Sequence, residues 1–223
     1  MYDREYNGQD LNFEASGGLM HSALVMQDFE TDSYWAIMSG ESIAGEFKGT
    51  KLKELPVSKR VQWKDWVGEH PNTLVLSVNG REDAGNPYST YFRSRRGFRG
   101  TTAEDDRLPT KEPIFAFHHN GQSYAVPHET IIGGKAFEIE GLHLFMYRPA
   151  GAAFFRSTVV YQSAESGFKK VDGEWVYTAS DCKFNPDEEA FIGAGEKCPE
   201  RFTGIDTFWY NWSLTNENTR LLE

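Results

Sequence analysis

Two-residue turn signals recur along this chain, and they constrain its fold more than any other feature. Each is a residue followed by glycine between short apolar or alternating stretches: Asn7-Gly8, Asn79-Gly80, Asn120-Gly121, Glu140-Gly141 and Asp172-Gly173. Asn-Gly tolerates the positive φ angles of the tight turns that join hairpin strands. Residues 114–119 and 122–126 are therefore predicted to pair as two strands across Asn120-Gly121.

The stretches between these turns favour strands over helices. The run at residues 154–161 is rich in aromatic and β-branched side chains, which is typical of a strand. Short helices are predicted only at residues 63–70, where Pro71 ends the helix, and at residues 128–132. The predicted fold class is mainly β with minor α content.

A pair of tryptophan motifs indicates an internal duplication. Trp63-x-x-Trp66 is followed by Asn72-Thr73, and Trp209-x-x-Trp212 is followed at the same offsets by Asn218-Thr219. A further tryptophan precedes each motif, Trp35 in one case and Trp175 in the other. We therefore predict two diverged tandem repeats of hairpins and short helices that form one compact pseudo-symmetric unit.

The predicted repeats cover residues 1–107 and 108–223. Residues 112–155 include a hairpin with no counterpart in the first repeat, so that repeat is expected to be truncated at its front and to end in an arginine-rich connecting loop. Trp-x-x-Trp places two indoles on one face of a helical turn. They are interpreted as core packing, with an aromatic surface for a sugar or a peptide as the alternative.

Composition excludes some classes of protein. Hydrophobic residues make up 39% of the 223 residues, which is too apolar for a disordered chain. The net charge of −10 argues against nucleic acid as a partner, because phosphate binding needs a basic surface. No apolar run approaches the roughly 18 residues that span a bilayer, so no transmembrane segment is predicted, and the residues after Met1 do not form a signal peptide.

An arginine cluster interrupts this acidic chain. Arg93, Arg95, Arg96 and Arg99 lie within seven residues, together with Tyr91 and Phe98. Guanidinium groups bind carboxylates and phosphates in a bidentate manner. The six residues are the candidate site for an anion or an acidic partner, although the sequence favours internal pairing of the arginines with the chain's own surplus carboxylates.

Several motifs resemble a bacterial family catalogued as domain of unknown function 3179. They are residues 24–28 (LVMQD), 33–35 (SYW), 40–52 (GESIAGEFKGTKL), 70–76 (HPNTLVL), 105–109 (DDRLP), 111–113 (KEP) and 208–212 (FWYNW). The resemblance implies an exported bacterial protein and supplies no activity. Longer members carry a Cys-x-x-Cys-like segment before the position of Met1, and this chain lacks that segment.

Cys182 and Cys198 are the only cysteines. In an exported protein such a pair commonly forms a disulfide, and this is the prediction. Free thiols and a metal site are the alternatives, although no further cysteine or histidine stands at ligand spacing.

Catalytic signatures are missing from the sequence. It contains no nucleophile elbow, phosphate-binding glycine loop, zinc-protease motif or dinucleotide fingerprint. The histidines and the acidic runs at 104–106 and 187–189 are interpreted as structural or surface residues, so no cofactor and no metal is predicted.

The predicted function is that of a non-catalytic binding module or an accessory subunit of a larger assembly, in the periplasm or outside the cell. A protein partner is expected to cover an unpaired sheet edge at the front of the first repeat. The alternative is an enzyme, or a metal- or ligand-binding protein, with its site in the cleft between the repeats.

Overall fold

The computed structural model describes residues 1–55, 60–77, 79, 88–193 and 197–223. Within these residues the chain forms four four-stranded sheets, one two-stranded sheet and a few short helices. The predicted mainly β fold class is confirmed. The predicted turn at Asn79-Gly80 lies partly outside the described residues.

The first sheets come from the N-terminal quarter of the chain. Strands β1 (Glu5–Tyr6) and β2 (Gln9–Asp10) pair across Asn7-Gly8, whose φ angles of 53° and 78° suit a tight hairpin turn. A four-stranded antiparallel meander follows, and its core is formed by the buried side chains of Leu11, Trp35 and Leu52. The strands of the meander, in sheet order, are β3 (Phe13–Met20), β4 (Ala23–Asp28), β5 (Tyr34–Ala36) and β6 (Glu41–Ala44).

The central sheet is built on the predicted hairpin at Asn120-Gly121. Strand β7 (Pro113–His119) pairs with β8 (Gln122–Pro127), and His118 lies opposite Ser123, as expected for a two-residue turn. Two C-terminal strands flank this hairpin. We number them β17 (Ile205–Phe208), antiparallel to β7, and β18 (Arg220–Leu221), parallel to β8.

Two further sheets complete the fold, and the first of them lies between the central sheet and the second. The first has the order β16-β11-β10-β9 and consists of β9 (Lys135–Ile139), β10 (Leu142–Tyr147), β11 (Val159–Ser163) and β16 (Glu200–Arg201). The second is a meander of β12 (Phe168–Val171), β13 (Glu174–Tyr177), β14 (Cys182–Asn185) and β15 (Ala190–Ile192).

Strand β10 shows why its sequence is apolar at successive positions. Side chains alternate between the two faces of a strand. Leu144 and Met146 pack toward the central hairpin, whereas Phe145 and Tyr147 pack toward the meander of β12 to β15. The strand is therefore buried on both faces.

In the described part of the chain, helices occur at three places and 3₁₀ turns at two more. Helix α1 (Trp63–Glu69) and the turn His128–Ile131 agree with the helices predicted at 63–70 and 128–132. Helices α2 (Ser89–Arg93) and α3 (Trp209–Ser213) and the turn Phe98–Gly100 complete the set within the described residues.

One predicted strand is wrong over half its length. Residues 154–161 were expected to be a strand, but β11 begins only at Val159. The preceding residues form turns, with Arg156 N donating to Ala153 O. The carbonyls of Ala153 and Arg156 accept hydrogen bonds from the guanidinium group of Arg148 and are therefore not available for a sheet ladder.

The predicted tandem repeat is not confirmed. Each described sheet takes its strands from only one of the predicted halves, 1–107 or 108–223. The two halves are nevertheless not structurally equivalent at the tryptophan motifs. Trp209 and Trp212 are buried in α3, whereas Trp63 of α1 is 52% exposed. The boundary between the halves stays a prediction.

The disulfide prediction is confirmed. Cys182 and Cys198 are bonded, with their Cα atoms 5.7 Å apart. The bond ties β14 to the segment that leads into β16, and Cys182 is fully buried against the aromatic core of the β12 to β15 meander.

Candidate functional site

The arginine-rich segment is fixed against helix α3. The hydroxyl groups of Tyr91 and Tyr210 hydrogen-bond at 3.1 Å, and the backbone N–H of Phe98 donates to the Tyr210 hydroxyl at 3.3 Å. Gly97 packs so closely that a Cβ atom there would lie 2.6 Å from the Tyr210 ring. The backbone between Tyr91 and Phe98 is therefore held in one position by a single buried tyrosine.

A lysine completes this anchorage. Lys111 Nζ donates to Tyr91 O at 2.6 Å and lies 3.9 Å from the centre of the Tyr91 ring. The same ammonium group is 5.1 Å from the ring of Phe208. Burial lowers the pKa of Lys111 from its ordinary value, and burial together with the hydrogen bond to Tyr210 raises the pKa of Tyr91.

Beside this anchor lies a groove of about 750 Å³, which we call the arginine groove. Its floor is aromatic: the rings of Phe154 and Phe208 stack at 5.2 Å, and Phe92 lies 5.4 Å from Phe154. Phe92 is 46% exposed and Phe154 is 36% exposed, so the floor is open to solvent. Its cationic lining residues are Arg93, Arg95 and Lys111.

Glu112 is the one carboxylate among the described residues that line the groove. Burial, followed by repulsion from Glu129, raises its pKa from the ordinary value. With three cations and one carboxylate among its described lining residues, the groove is positively charged, on a chain with a net charge of −10.

The arginines of the cluster are exposed. Within the described part of the chain, none of the guanidinium groups of Arg93, Arg95, Arg96 and Arg99 forms an ion pair with a carboxylate. Arg93 Nε donates to the carbonyl of Ser89, and Arg99 lies over the ring of Phe98 at 5.4 Å. Among the described residues, the structure therefore gives no support to internal pairing of these arginines with the chain's own carboxylates.

The structure separates the six predicted residues into three places. Arg93 and Arg95 line the arginine groove, while Tyr91 and Phe98 line a neighbouring hollow of about 410 Å³. Arg96 and Arg99 lie on the surface outside the described lining of either cavity.

Sequence reasoning missed the other residues of the groove. Lys111 belongs to the motif at 111–113 and Phe208 to the motif at 208–212. Both motifs indicate the family resemblance, but neither indicates a role for these residues in a site. The sequence predicts a strand at Phe154, but the residues before Val159 form turns, and these turns place Phe154 in the groove.

A second polar cluster surrounds the buried carboxylate of Asp206. His128 Nε2 lies 2.9 Å from Asp206 Oδ1, and Thr158 donates to the carboxylate through both its backbone N–H, at 2.8 Å, and its hydroxyl. Arg148 Nη1 is 3.5 Å from Oδ1. Burial alone would raise the pKa of Asp206, but the hydrogen bonds from His128 and Thr158 hold it below its ordinary value. We call these four residues the Asp206 centre.

The Asp206 centre has the character of a structural network. Its four side chains are at most 9% exposed, and each has a hydrogen-bonding partner inside the cluster. Burial lowers the pKa of His128, which favours the neutral ring. The arginine groove, whose exposed arginines form no ion pair among the described residues, is the better candidate for a functional site.

The family of the chain follows from a match to one family model. Residues 1–219 match the family described as "Protein of unknown function (DUF3179)". The chain belongs to this family. No curated protein and no solved structure shows a significant match to it. No helix in the described residues is long and apolar enough to cross a bilayer.

Proposed function

We propose that this DUF3179 protein is a non-catalytic binding module that recognises an acidic protein surface through the arginine groove. The observation that carries the proposal is a set of exposed arginines that form no ion pair among the described residues, on an anchored segment next to an open aromatic floor. On a chain with a net charge of −10, such a cluster of cations supports a role in binding an anionic partner.

Physical chemistry favours a protein partner for this groove. Protein interfaces are enriched in aromatic residues and arginine, and a few such residues supply most of the binding energy. Because Tyr210 and Lys111 hold the backbone of the arginine segment in place, little backbone conformational entropy is lost on binding. An acidic segment with an aromatic or aliphatic side chain would satisfy both the cations and the floor.

The sheet edge at the front of the chain is a secondary surface in this proposal. Strand β3 is the outer strand of its sheet, and most of its residues are exposed. A register shift between Ala15 and Leu19 interrupts the strand, and bulges of this kind hinder pairing with a further strand. We therefore assign the main partner contact to the arginine groove.

The proposed location is the periplasm or the exterior of the cell. The bonded pair Cys182–Cys198 supports an oxidising compartment, because disulfides rarely persist in a reducing cytosol. The alternative of an enzyme with its site between the two halves is less well supported, since the polar groups of the Asp206 centre are saturated by one another.

The test reverses charge in the groove and measures binding of a defined probe. The probe is a fluorescent acidic peptide with one central phenylalanine. Replacing Arg93→Glu and Arg95→Glu together should weaken its binding at least about tenfold, since a charge-assisted hydrogen bond contributes about 1.5–3 kcal/mol. Thermal stability should stay unchanged, because neither arginine forms an ion pair in the described part of the chain.

The matched control is Lys169→Glu with Lys170→Glu, two adjacent exposed cations on strand β12. This double variant makes the same change in net charge and should bind the peptide as the wild type does. An equal loss of peptide affinity in both variants would show that only net charge matters and would overturn the proposal. Equally tight binding of a peptide with lysine in place of glutamate would overturn it as well.

A further inference from the structure

A second cavity, of about 490 Å³, lies between the N-terminal meander and the edge of the central sheet. Its volume falls in the range of small-molecule sites, which favour junctions between structural units. Most of its wall is apolar, with contributions from both sides of the junction: Phe13, Met26, Ile37, Leu52, Phe115 and Phe202. The cavity is distinct from the arginine groove, with which it shares none of its described lining residues.

The polar part of this cavity is supported by the Asp206 centre. Arg60, Ser157, Thr158 and Asp206 line it together. Asp206 faces two arginines, with Arg148 Nη1 at 3.5 Å and Arg60 Nη2 at 3.6 Å from its carboxylate. Arg148 is buried beside Asp206, whereas the side chain of Arg60 is half exposed and lines the cavity.

Arg60 is held in position although its side chain is 52% exposed. Its Nη2 donates to the backbone carbonyl of Asp206 at 2.8 Å, and its backbone N–H donates to Ser157 Oγ at 2.7 Å. Among the described residues, its Nε and Nη1 have no hydrogen-bond partner. A guanidinium group anchored on one side and free on the other is suited to bind a carboxylate.

We propose that this cavity binds a small amphipathic carboxylate, with its apolar chain against the aromatic and aliphatic wall and its carboxylate on Arg60. Asp3 and Glu54 line the cavity together with Arg4 and Arg201, so its wall carries charges of both signs and does not favour a polyanion such as a phosphate monoester. A monoanion with an apolar body pairs with Arg60 and covers the apolar wall at the same time.

The experiment compares two probes of equal chain length, decanoate and 1-decanol, by isothermal titration calorimetry on the full chain. The wild type should bind decanoate with a Kd at least about tenfold lower than that of decanol. Arg60→Gln should raise the Kd for decanoate by about the same factor and leave that for decanol unchanged. The control Arg220→Gln removes another exposed arginine, one paired with Glu140, and should change neither Kd.

A second variant tests the apolar wall. Ile37→Trp narrows the cavity and should weaken the binding of both probes, while Arg60→Gln affects only one. Equal affinity of the wild type for the two probes would overturn the proposal. So would unchanged decanoate binding by Arg60→Gln with an unaltered melting temperature, or absence of binding of either probe.

Discussion

At the level of single residues, two carboxylates that both form ion pairs differ in burial, and we expect them to differ in their contribution to stability. Asp206 is buried beside Arg148 and His128, whereas the ion pair of Glu174 with Lys183 is more than half exposed. Exposed pairs gain little because water screens them. A buried charge that loses its partner cannot recover its hydration, so breaking a buried pair is costly.

The first prediction at this scale concerns Asp206→Asn. This variant leaves Arg148 buried without its counter-charge and should lower the free energy of unfolding by about 3–5 kcal/mol, measured by urea denaturation. Glu174→Gln is the control and should leave the urea midpoint nearly unchanged. Similar midpoints for Asp206→Asn and the wild type would show that the Asp206 centre does not stabilise the fold.

The pH dependence of the same residue has a defined sign. The pKa of Asp206 is lower in the folded chain than its ordinary value of about 3.9. Its contribution to stability is therefore present above about pH 4 and is lost as the pH falls through the folded pKa. The Asp206→Asn variant should lack this part of the acid destabilisation.

At the level of elements, helices α1 and α3 have the same Trp-x-x-Trp motif in different surroundings. In α3, Trp209 is fully buried and its Nε1 donates to Asp105 O at 2.8 Å. In α1, no residue is buried, and Trp66 Nε1 donates to Thr73 Oγ1 within its own segment. The interpretation of the motif as core packing holds for α3 and is wrong for the exposed Trp63.

The prediction at this scale is that the same substitution, tryptophan to alanine, changes the free energy of unfolding by different amounts in the two helices. Trp209→Ala should lower the free energy of unfolding by about 3–5 kcal/mol, because it opens a large cavity in the core. Trp63→Ala should change it by about 0.5 kcal/mol or less, as for other surface substitutions. Equal decreases in the free energy of unfolding, measured by the same denaturation experiment, would indicate that α1 is as well packed as α3. That result would support the predicted repeat.

At the level of the whole molecule, the disulfide links strand β14 to the segment before β16, two parts of the chain that do not pair with each other in a sheet. Strands β12 to β15 form a meander with connections of two to four residues, and the chain then returns through β16 to the edge of β11. The bond between Cys182 and Cys198 fixes that return. Its sequence separation is 16 residues, and closing a loop of this size limits the unfolded chain.

The prediction at this scale is that Cys182→Ala with Cys198→Ala lowers the free energy of unfolding by about 3 kcal/mol. A thiol reductant should destabilise the wild type by a similar amount and leave the double variant unaffected. Wild-type protein whose unfolding does not respond to reductant would contradict a stabilising role for the bond.

Features set by neighbouring residues were predictable from the sequence alone. The hairpins at Asn7-Gly8 and Asn120-Gly121, the helix at 63–70 and the cationic character of residues 93–99 depend on local backbone preferences and on charge. Only the tertiary structure brought Lys111 and Phe208 beside the arginines and placed His128 and Arg148 around Asp206. Those contacts join residues far apart in the chain, and their geometry depends on which strands pair and which faces are buried, a choice made by the free energy of the whole core.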